Sequence, residues 1–478
     1  MSGALVRITV FVSAAAVLVL EIVAGRIMAP YVGVSLQTFT GIIGTILAAI
    51  ALGAWLGGRA ADRYDADRLL GPVLIVGGIL AVVSPAFVYI VGPTVAGEGP
   101  ITIVVLAAIG FFLPAAVLST ATPIAAKISV TSLDTTGAIV GQLSALGTAG
   151  ALFGTFFAGF VLIAAMPSQP ITWVVGIVLV LLGIVATWPW GRVGAVAGIA
   201  AIALAIMGSS AIAAPCDYET AYSCAIVRTP DDSPSTRALI LDTFVNSVVD
   251  VEDPSVLVTR YSRVVDAVVD ASIGGPFDAL YIGGGGYTLP QYYDVTRGST
   301  ATVLEIDGSL PDIAVEELGL SEGPWLTTIV GDARIGVRSA SGPFEVIIGD
   351  AFSGRSVPWH LTTQEFIEQL RDRLDPSGVY VLNVIDHPPL AFVRAELRTL
   401  AEVFEHVAVV ARPGAVAGEF GGNYILAGSA IPFDAAAIAE RVTDGEVVLV
   451  DDEARAWIGD AMLLTDEFAP VDQLLSRP

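Results

Sequence analysis

The chain has 478 residues, 54% of them hydrophobic, and carries 47 acidic against 23 basic side chains for a net charge of −24. That is too apolar for an ordinary soluble protein, and too acidic to hold nucleic acid, whose phosphates the carboxylates would repel. The length allows two or three domains. Residues 1–214 hold six acidic and seven basic side chains, and residues 215–478 hold the other 41 and 16. A near-neutral apolar part is therefore joined near Pro215 to a strongly acidic one.

Seven stretches of the first part, roughly 6–30, 37–58, 70–92, 101–126, 137–165, 171–190 and 193–214, reach the ~20 apolar residues a membrane span needs. The first does not read as a cleaved signal peptide, because Glu21 and Arg26 fall where a small-residue cleavage site is wanted. In the fifth, small residues recur every four positions (Gly137, Gly141, Ala145; Gly150, Gly154, Ala158). That spacing lets helix backbones approach and predicts packing inside a bundle. Arg59, Arg63 and Arg68 follow the second span, Lys127 the fourth and Arg192 the sixth, whereas 92–100 and 166–170 contain no Lys or Arg. The positive-inside rule then puts the N-terminus in the cytoplasm, and seven spans carry the second part outside. Cys216 and Cys224, the chain's two cysteines, lie just past the last span; they fit a disulfide in an oxidising compartment, with two unpaired thiols as the alternative.

Glu21 and Arg26 stand at membrane depth in the first span, where ionisable groups are costly and often functional, though Arg26 could also snorkel to the interface. The run Gly53-Ala-Trp-Leu-Gly-Gly-Arg-Ala-Ala-Asp-Arg63 resembles the loop after the second helix of major facilitator transporters. With six spans before Pro189 the region is similar to one transporter half. A half lacks the second repeat that forms the midplane site, so transport is not implied.

The second part opens with short strands and turns: Tyr222–Thr229, a turn at 230–234, Ala238–Val249, then a helix around 255–270. From there strands and helices alternate. The predicted strands are Ala279–Ile282, Thr302–Asp307, Thr327–Asp332, Phe344–Asp350 and Val379–Ile385, with helices at 289–296, 310–318 and 363–374 between them. Such alternation makes a mainly parallel sheet whose ligands bind at the carboxyl ends of the strands.

Four features fall at those ends. Gly283, Gly284, Gly285 and Gly286 let the backbone approach a ligand where a side chain would clash. Glu305 or Asp307, about 20 residues on, is placed to accept from ribose hydroxyls. Asp332 and Asp350 close the next two strands. Taken singly, a glycine turn is often only a turn and a strand-end Asp often a helix cap; in this order they point to a nucleoside-containing cofactor. Tyr287, Thr288 and Leu289 break a Gly-x-Gly-x-x-Gly pattern, which argues against a pyrophosphate and so against NAD or FAD. S-adenosylmethionine or its decarboxylated form, which lack phosphate, fit better. His360, His387 and His406 share no ligand spacing, so no metal is expected. Asp386-His387-Pro-Pro ends the fifth strand and reads as a loop that could line the pocket.

Ile282-Gly-Gly-Gly-Gly286, Leu304-Glu-Ile-Asp307, Gly331-Asp332-Ala333, Ile348-Gly-Asp-Ala-Phe-Ser353 and Pro358-Trp-His-Leu-Thr-Thr-Gln-Glu-Phe366 resemble the landmarks of the spermidine synthase family of aminopropyltransferases. Leu241-Asp242 in the lead-in fits that family's N-terminal strand domain, and the likeness covers about residues 217–430. The whole chain, including Leu463–Pro470, is similar to membrane proteins in which such domains follow transporter-like spans. The resemblance implies that Glu305 holds ribose, that Asp332, beside Ala333, holds the adenine amino group, and that Asp350 is the catalytic carboxylate. Chemistry supports the last role independently. An amine of pKa about 10 is protonated at neutral pH, and a carboxylate can orient it and take its proton. Two of the family's amine-gripping carboxylates are replaced, by Gly286 and Ser353; Asp242, Asp250 and Glu252 are the nearby acids that could take their place.

The expected architecture is an α-helical transmembrane bundle (1–214), then a β-rich lead-in (215–270) and an α/β Rossmann-like domain of the S-adenosylmethionine type (271–478). The expected function is aminopropyl transfer at a lipid bilayer from an adenosyl sulfonium donor to a small amine, with homodimer assembly left open. The alternatives are an S-adenosylmethionine-dependent methyltransferase and a non-catalytic nucleoside or polyamine sensor.

Overall fold

A computed structural model of the chain describes residues 2–97, 99–187, 192–231, 233–352, 354, 356–442 and 445–476. The chain divides into two compact units, Met1–Ile226 and Val227–Pro478.

The first unit is helical. α1 (Gly3–Val32), α2 (Leu36–Arg63), α3 (Ala66–Val95), α4 (Pro100–Ser129), α5 (Leu133–Ala165) and α6 (Ser168–Thr187) are long and apolar enough to cross a membrane. A helix pairs its backbone groups internally, the condition for lying in hydrocarbon. The expectation of seven spans is corrected to six. The segment at 193–214 forms α7 (Arg192–Ser210), whose described apolar run, Gly194–Ser210, falls short of a span's length. α7 runs back along α6: Gln169 Nε2 donates to the Ser209 carbonyl at 2.9 Å and Trp173 Nε1 to Ser209 Oγ at 3.1 Å, while Gly198 lies beside Ile184.

Half of the small-residue stripe is used for packing. A Cβ on Gly150 would sit 2.2 Å from the Phe11 carbonyl oxygen, and one on Gly154 2.3 Å from that of Ala15, so α5 and α1 touch backbone to backbone. Gly137 and Gly141 face open space, and Phe153, Phe156 and Phe160 are exposed. α5 therefore lies against α1 at the edge of the bundle instead of inside it.

Past α7 the chain forms a small hairpin, β1 (Tyr218–Glu219) antiparallel to β2 (Cys224–Arg228). Cys216 and Cys224 are joined in a disulfide across it, with their Cα atoms 5.2 Å apart. Arg26 of α1 is bound to this hairpin. Its guanidinium donates to the carbonyls of Ala221, at 3.1 Å, and Thr220, and Glu219 lies 4.0 Å away. Glu219 in turn accepts from the Ser168 N–H at 3.0 Å. Glu21 remains partly exposed on α1.

In the second unit β3 (Thr236–Leu241) and β4 (Phe244–Asp250) form a second antiparallel hairpin, followed by α8 (Arg260–Ser272). The main sheet has the order β12-β10-β11-β9-β8-β5-β6-β7. Its strands are β5 (Asp278–Ile282), β6 (Thr300–Glu305), β7 (Leu326–Val330), β8 (Phe344–Gly349), β9 (Leu374–Asp386), β10 (His406–Ala411), β11 (Gly422–Ser429) and β12 (Val447–Val450). β7, β6, β5, β8 and β9 are parallel; β11, β10 and β12 are added antiparallel. The parallel strands are apolar because helices cover both faces. Leu280, Ile347, Val384, Phe392 and Tyr424 are among the side chains of one continuous core, each contributing about 1.5–3 kcal/mol by burial. β5 has β6 on one side and β8 on the other, so the strand order reverses there and opens a crevice at the carboxyl ends.

Candidate active site

The glycine turn leaves β5 at that crevice. Gly283 and Gly285 have φ of 96° and 50°, conformations that favour glycine. The turn is also crowded. A Cβ would lie 2.7 Å from the Asp350 carbonyl oxygen at Gly283, 2.4 Å from Asn246 Oδ1 at Gly285 and 2.7 Å from Ser247 Cβ at Gly286. The loop is thus threaded between the end of β8 and the hairpin strand β4, and Gly286 N–H donates to Ser247 Oγ at 2.9 Å.

Glu305 ends β6 directly beneath. Its Oε2 accepts from Gly284 N–H at 2.8 Å and Gly285 N–H at 3.2 Å, and its Oε1 from Asp307 N–H at 2.8 Å. The side chain expected to hold ribose is therefore also the post that holds the turn. Burial pushes its pKa up, and these backbone bonds work against that rise. Each carboxylate oxygen has two acceptor sites; Oε2 already accepts two N–H groups, so Oε1 retains one site for a hydroxyl donor. A glycine cradle without room for side chains, bordered by a buried carboxylate at the end of the second strand, fits a nucleoside.

Asp332 lies past β7 and caps the short helix α9 (Ala333–Gly336), accepting from Arg334 N–H at 2.9 Å. Its second oxygen meets His360 Nε2 at 2.9 Å, a partner that the spacing of the histidines along the chain does not disclose. Ala333 is buried at the start of the helix. Arg334 reaches from α9 to the His360 carbonyl at 2.7 Å and to Asp466 at 2.5 Å, tying together the 358–366 and 463–470 motifs.

Asp350 follows β8 and faces a cavity of about 220 Å³. Asn383 Nδ2, from the adjacent strand β9, donates to its Oδ1 at 2.9 Å, and Tyr261 OH, from the first turn of α8, to its Oδ2 at 3.1 Å. Asn423 of β11 supports Asn383 at 3.0 Å. Burial raises the Asp350 pKa to about 6, against the pull of these two hydrogen bonds. The group is thus mostly ionised at neutral pH yet able to take a proton. Sequence reading misses Tyr261, Asn383 and Asn423. Asn383 alone carries a signal, as a lone amide in the apolar run Val379–Ile385, where an unpartnered polar group would be costly.

Other residues do not join the site. Asp250 closes a turn, accepting from Ser235 Oγ at 2.8 Å and from the N–H groups of Glu252 and Asp253. Neither it nor Asp242 or Glu252 lines the cavity. Asp386 is buried and accepts from His387 N–H and Val393 N–H, which makes it a structural cap. Ser353 lies outside the described residues. Among the described residues no three His, Cys, Asp or Glu side chains group as for a metal.

No family model matches the chain. Over 224 residues it is 25% identical to a polyamine aminopropyltransferase of Vibrio vulnificus, covering 42% of this chain and 70% of that protein. Over 132 residues it is 33% identical to an N-terminal histidine N-methyltransferase of Emericella nidulans, covering 27% of this chain and 23% of the other. The match thus spans less than a quarter of the fungal protein. A solved structure described as a probable spermidine synthase from Corynebacterium glutamicum is 30% identical, with 55% of this chain and 98% of that chain covered and a TM-score of 0.49. The second unit is spermidine synthase-like in sequence, and its α/β sheet is mostly parallel.

Proposed function

We propose that the second unit transfers an alkyl group from an adenosyl sulfonium donor to an amine bound in the Asp350 cavity. The observation that carries this reading is Asp350 itself: a carboxylate of raised pKa, fixed by Asn383 and Tyr261, whose backbone touches the glycine turn at Gly283. The turn at Gly283–Gly286, Glu305, and Asp332 with Ala333 would hold the nucleoside. When bound, the donor supplies a carbon made electrophilic by its bond to a sulfonium. Asp350 orients the incoming ammonium and accepts its proton. The freed nitrogen lone pair then forms the C–N bond as the C–S pair returns to sulfur, leaving a neutral thioether. The aminopropyltransferase relative supports aminopropyl as the group transferred. Methyl transfer is the second reading. It is favoured by Gly286, where no side chain fits against Ser247 to hold the amino group of a decarboxylated donor, and by the methyltransferase relative.

The test is release of the nucleoside thioether by the full chain in detergent, with each sulfonium donor and a panel of amines. Asp350→Asn should cost at least about 100-fold in turnover. Absence of release with every pairing would overturn the proposal.

The six apolar helices hold this unit at a bilayer in our reading, and geometry within the first unit bears on its side. The adjoining ends of α2 and α3, with Arg59, Arg63 and Arg68, and the end of α4, with Lys127, mark the cytoplasmic end. The β1–β2 hairpin is bound to Arg26, late in α1, and to Ser168, the first residue of α6. Both lie toward the opposite end, where the loops lack Lys and Arg. α7, although its described apolar run is short of a span's length, runs back along α6 to that end, so we place the hairpin, and with it residues 229–478, outside the cytoplasm.

A further inference from the structure

β4 carries a bulge beside the glycine turn. Leu239 pairs with Ser247 and the next residue, Ile240, with Val245, so Asn246 is the extra residue on the bulged strand. In a regular strand the side chains of Asn246 and Ser247 would point to opposite faces. A bulge re-aims a side chain and is common beside active sites, and here both residues reach the turn. A Cβ on Gly285 would lie 2.4 Å from Asn246 Oδ1 and 3.0 Å from Ser247 Oγ.

The hydrogen bonds fix which way the amide faces. Gly286 N–H donates to Ser247 Oγ at 2.9 Å, and the Ser247 hydroxyl donates in turn to Asn246 Oδ1 at 2.8 Å. The amide oxygen is thereby engaged on the side of the turn. Asn246 also lines the cavity that Asp350 faces. What it offers there is Nδ2, which carries two N–H donors and no acceptor. Arg260, on the same cavity, is ion-paired with Glu446 at 2.6 Å. A donor group placed beside the turn selects a ligand group that accepts. Glu305 holds the N–H groups of Gly284 and Gly285, so a nucleoside whose ribose rests on Glu305 would carry its 5′ tail past this turn to Asn246.

We propose that Asn246 binds the carboxylate of the sulfonium donor, and that the donor is therefore S-adenosylmethionine and not its decarboxylated form. This rests on the reading of the glycine turn and Glu305 as the donor site. A carboxylate accepts from Nδ2 in a charge-assisted hydrogen bond. The decarboxylated tail ends in an ammonium, which has donors alone and would meet donors. Aminopropyl is carried only by the decarboxylated form, so it is not the group transferred. The selection depends on which atoms Asn246 turns to the ligand, whatever the net charge of the cavity.

The test is calorimetric titration of the full chain in detergent with S-adenosylhomocysteine and with its decarboxylated counterpart. Each affinity is expressed relative to 5′-methylthioadenosine, which shares the nucleoside and lacks the amino-acid tail. The wild type should prefer the carboxylate-bearing compound at least about tenfold, the low end for a hydrogen bond to a charged group. Asn246→Asp keeps an acceptor for Ser247 and exchanges Nδ2 for oxygen, so it should reverse the preference. Asn246→Ala should abolish it, and thermal melting checks that both variants fold. A wild type that binds the two compounds equally or favours the decarboxylated one would overturn the inference, as would a preference unchanged in Asn246→Asp and Asn246→Ala. Either result, with 5′-methylthioadenosine still bound, defeats this inference alone. Binding of none of the three nucleosides defeats the transferase reading with it.

Discussion

Asn383 Nδ2 lies 2.9 Å from Asp350 Oδ1, joining the ends of two neighbouring parallel strands across the floor of the cavity. Such a bond favours the ionised carboxylate, and it is the larger of the two hydrogen bonds that hold the Asp350 pKa down against burial. It does so with a neutral amide, which adds no charge to the cavity. Asn423 fixes the amide's orientation by donating to its oxygen at 3.0 Å.

If Asp350 must be ionised to orient an ammonium and take its proton, activity should rise with pH through an acid limb at about 6, the value burial gives it. Asn383→Ala removes a bond to the charged form, so the limb should move upward. A pH–rate profile of the two proteins checks this. An unmoved midpoint would separate Asn383 from the titration of Asp350.

The same burial makes Asp350 a cost to folding at neutral pH. Below the ordinary aspartate value near 4, folded and unfolded chains both hold the proton and no penalty arises. Between about 4 and 6 the unfolded chain loses it first, and above about 6 the folded state carries the full penalty of a charged, buried group, about 1–3 kcal/mol. Asp350→Asn should therefore melt at a higher temperature than the wild type at pH about 8, and the gain should vanish near pH about 4. Melting curves at the two pH values measure it. The residue best placed for chemistry is expected to be one that destabilises the fold.

Glu305→Ala should damage both structure and binding. The substitution strips acceptors from the N–H groups of Gly284, Gly285 and Asp307, and a buried donor left unpaired costs about 1–3 kcal/mol. The turn should loosen and S-adenosylhomocysteine binding should fall below detection, with a lowered melting temperature alongside. Glu305→Gln, which keeps one acceptor oxygen, should recover part of the stability but little of the affinity. Wild-type binding in Glu305→Ala would remove the residue from the donor site.

The parallel strands are legible in the sequence because each is an apolar run that stops at a glycine or an acid: Ile282 before Gly283, Ile348 before Gly349 and Asp350, Leu304 before Glu305. The antiparallel extension β11-β10-β12 is not, since β10 and β12 carry short apolar runs with no turn signature that fixes their order. Glu305 stands out as a strand-end acid, but a sequence does not say whether a carboxylate faces a ligand or the N–H groups of the next loop; here it meets three of them. Tyr261 and Arg260 are invisible because their place depends on where the start of α8 docks. Arg26 reads as an isolated charge near a helix end, and its partners, the carbonyls of Thr220 and Ala221, lie almost 200 positions away. Among the described residues only six helices reach a span's length, because the Gly- and Ala-rich run at 193–214 satisfies composition before it satisfies length.

The side of the membrane gives the most decisive outcome. Six helices counted by length and hydropathy return the chain to the side on which it began. The hairpin at 218–228, however, is tied to Arg26 and Ser168, away from the helix ends that carry Arg59, Arg63, Arg68 and Lys127. α7 connects the two ends, since Ser209 at its close is bonded to Gln169 and Trp173 at the opening of α6. A disulfide at Cys216–Cys224 persists in an oxidising compartment and is rare in a reducing one. Reporter fusions after Arg192 and after Pro478 should therefore give opposite signals, cytoplasmic for the first and extracytoplasmic for the second. Thiol labelling of intact cells should find Cys216 and Cys224 blocked until a reductant is added. Cytoplasmic signals from both fusions, with both thiols free, would place the second unit inside and leave the hairpin's contacts with Arg26 without a topological meaning.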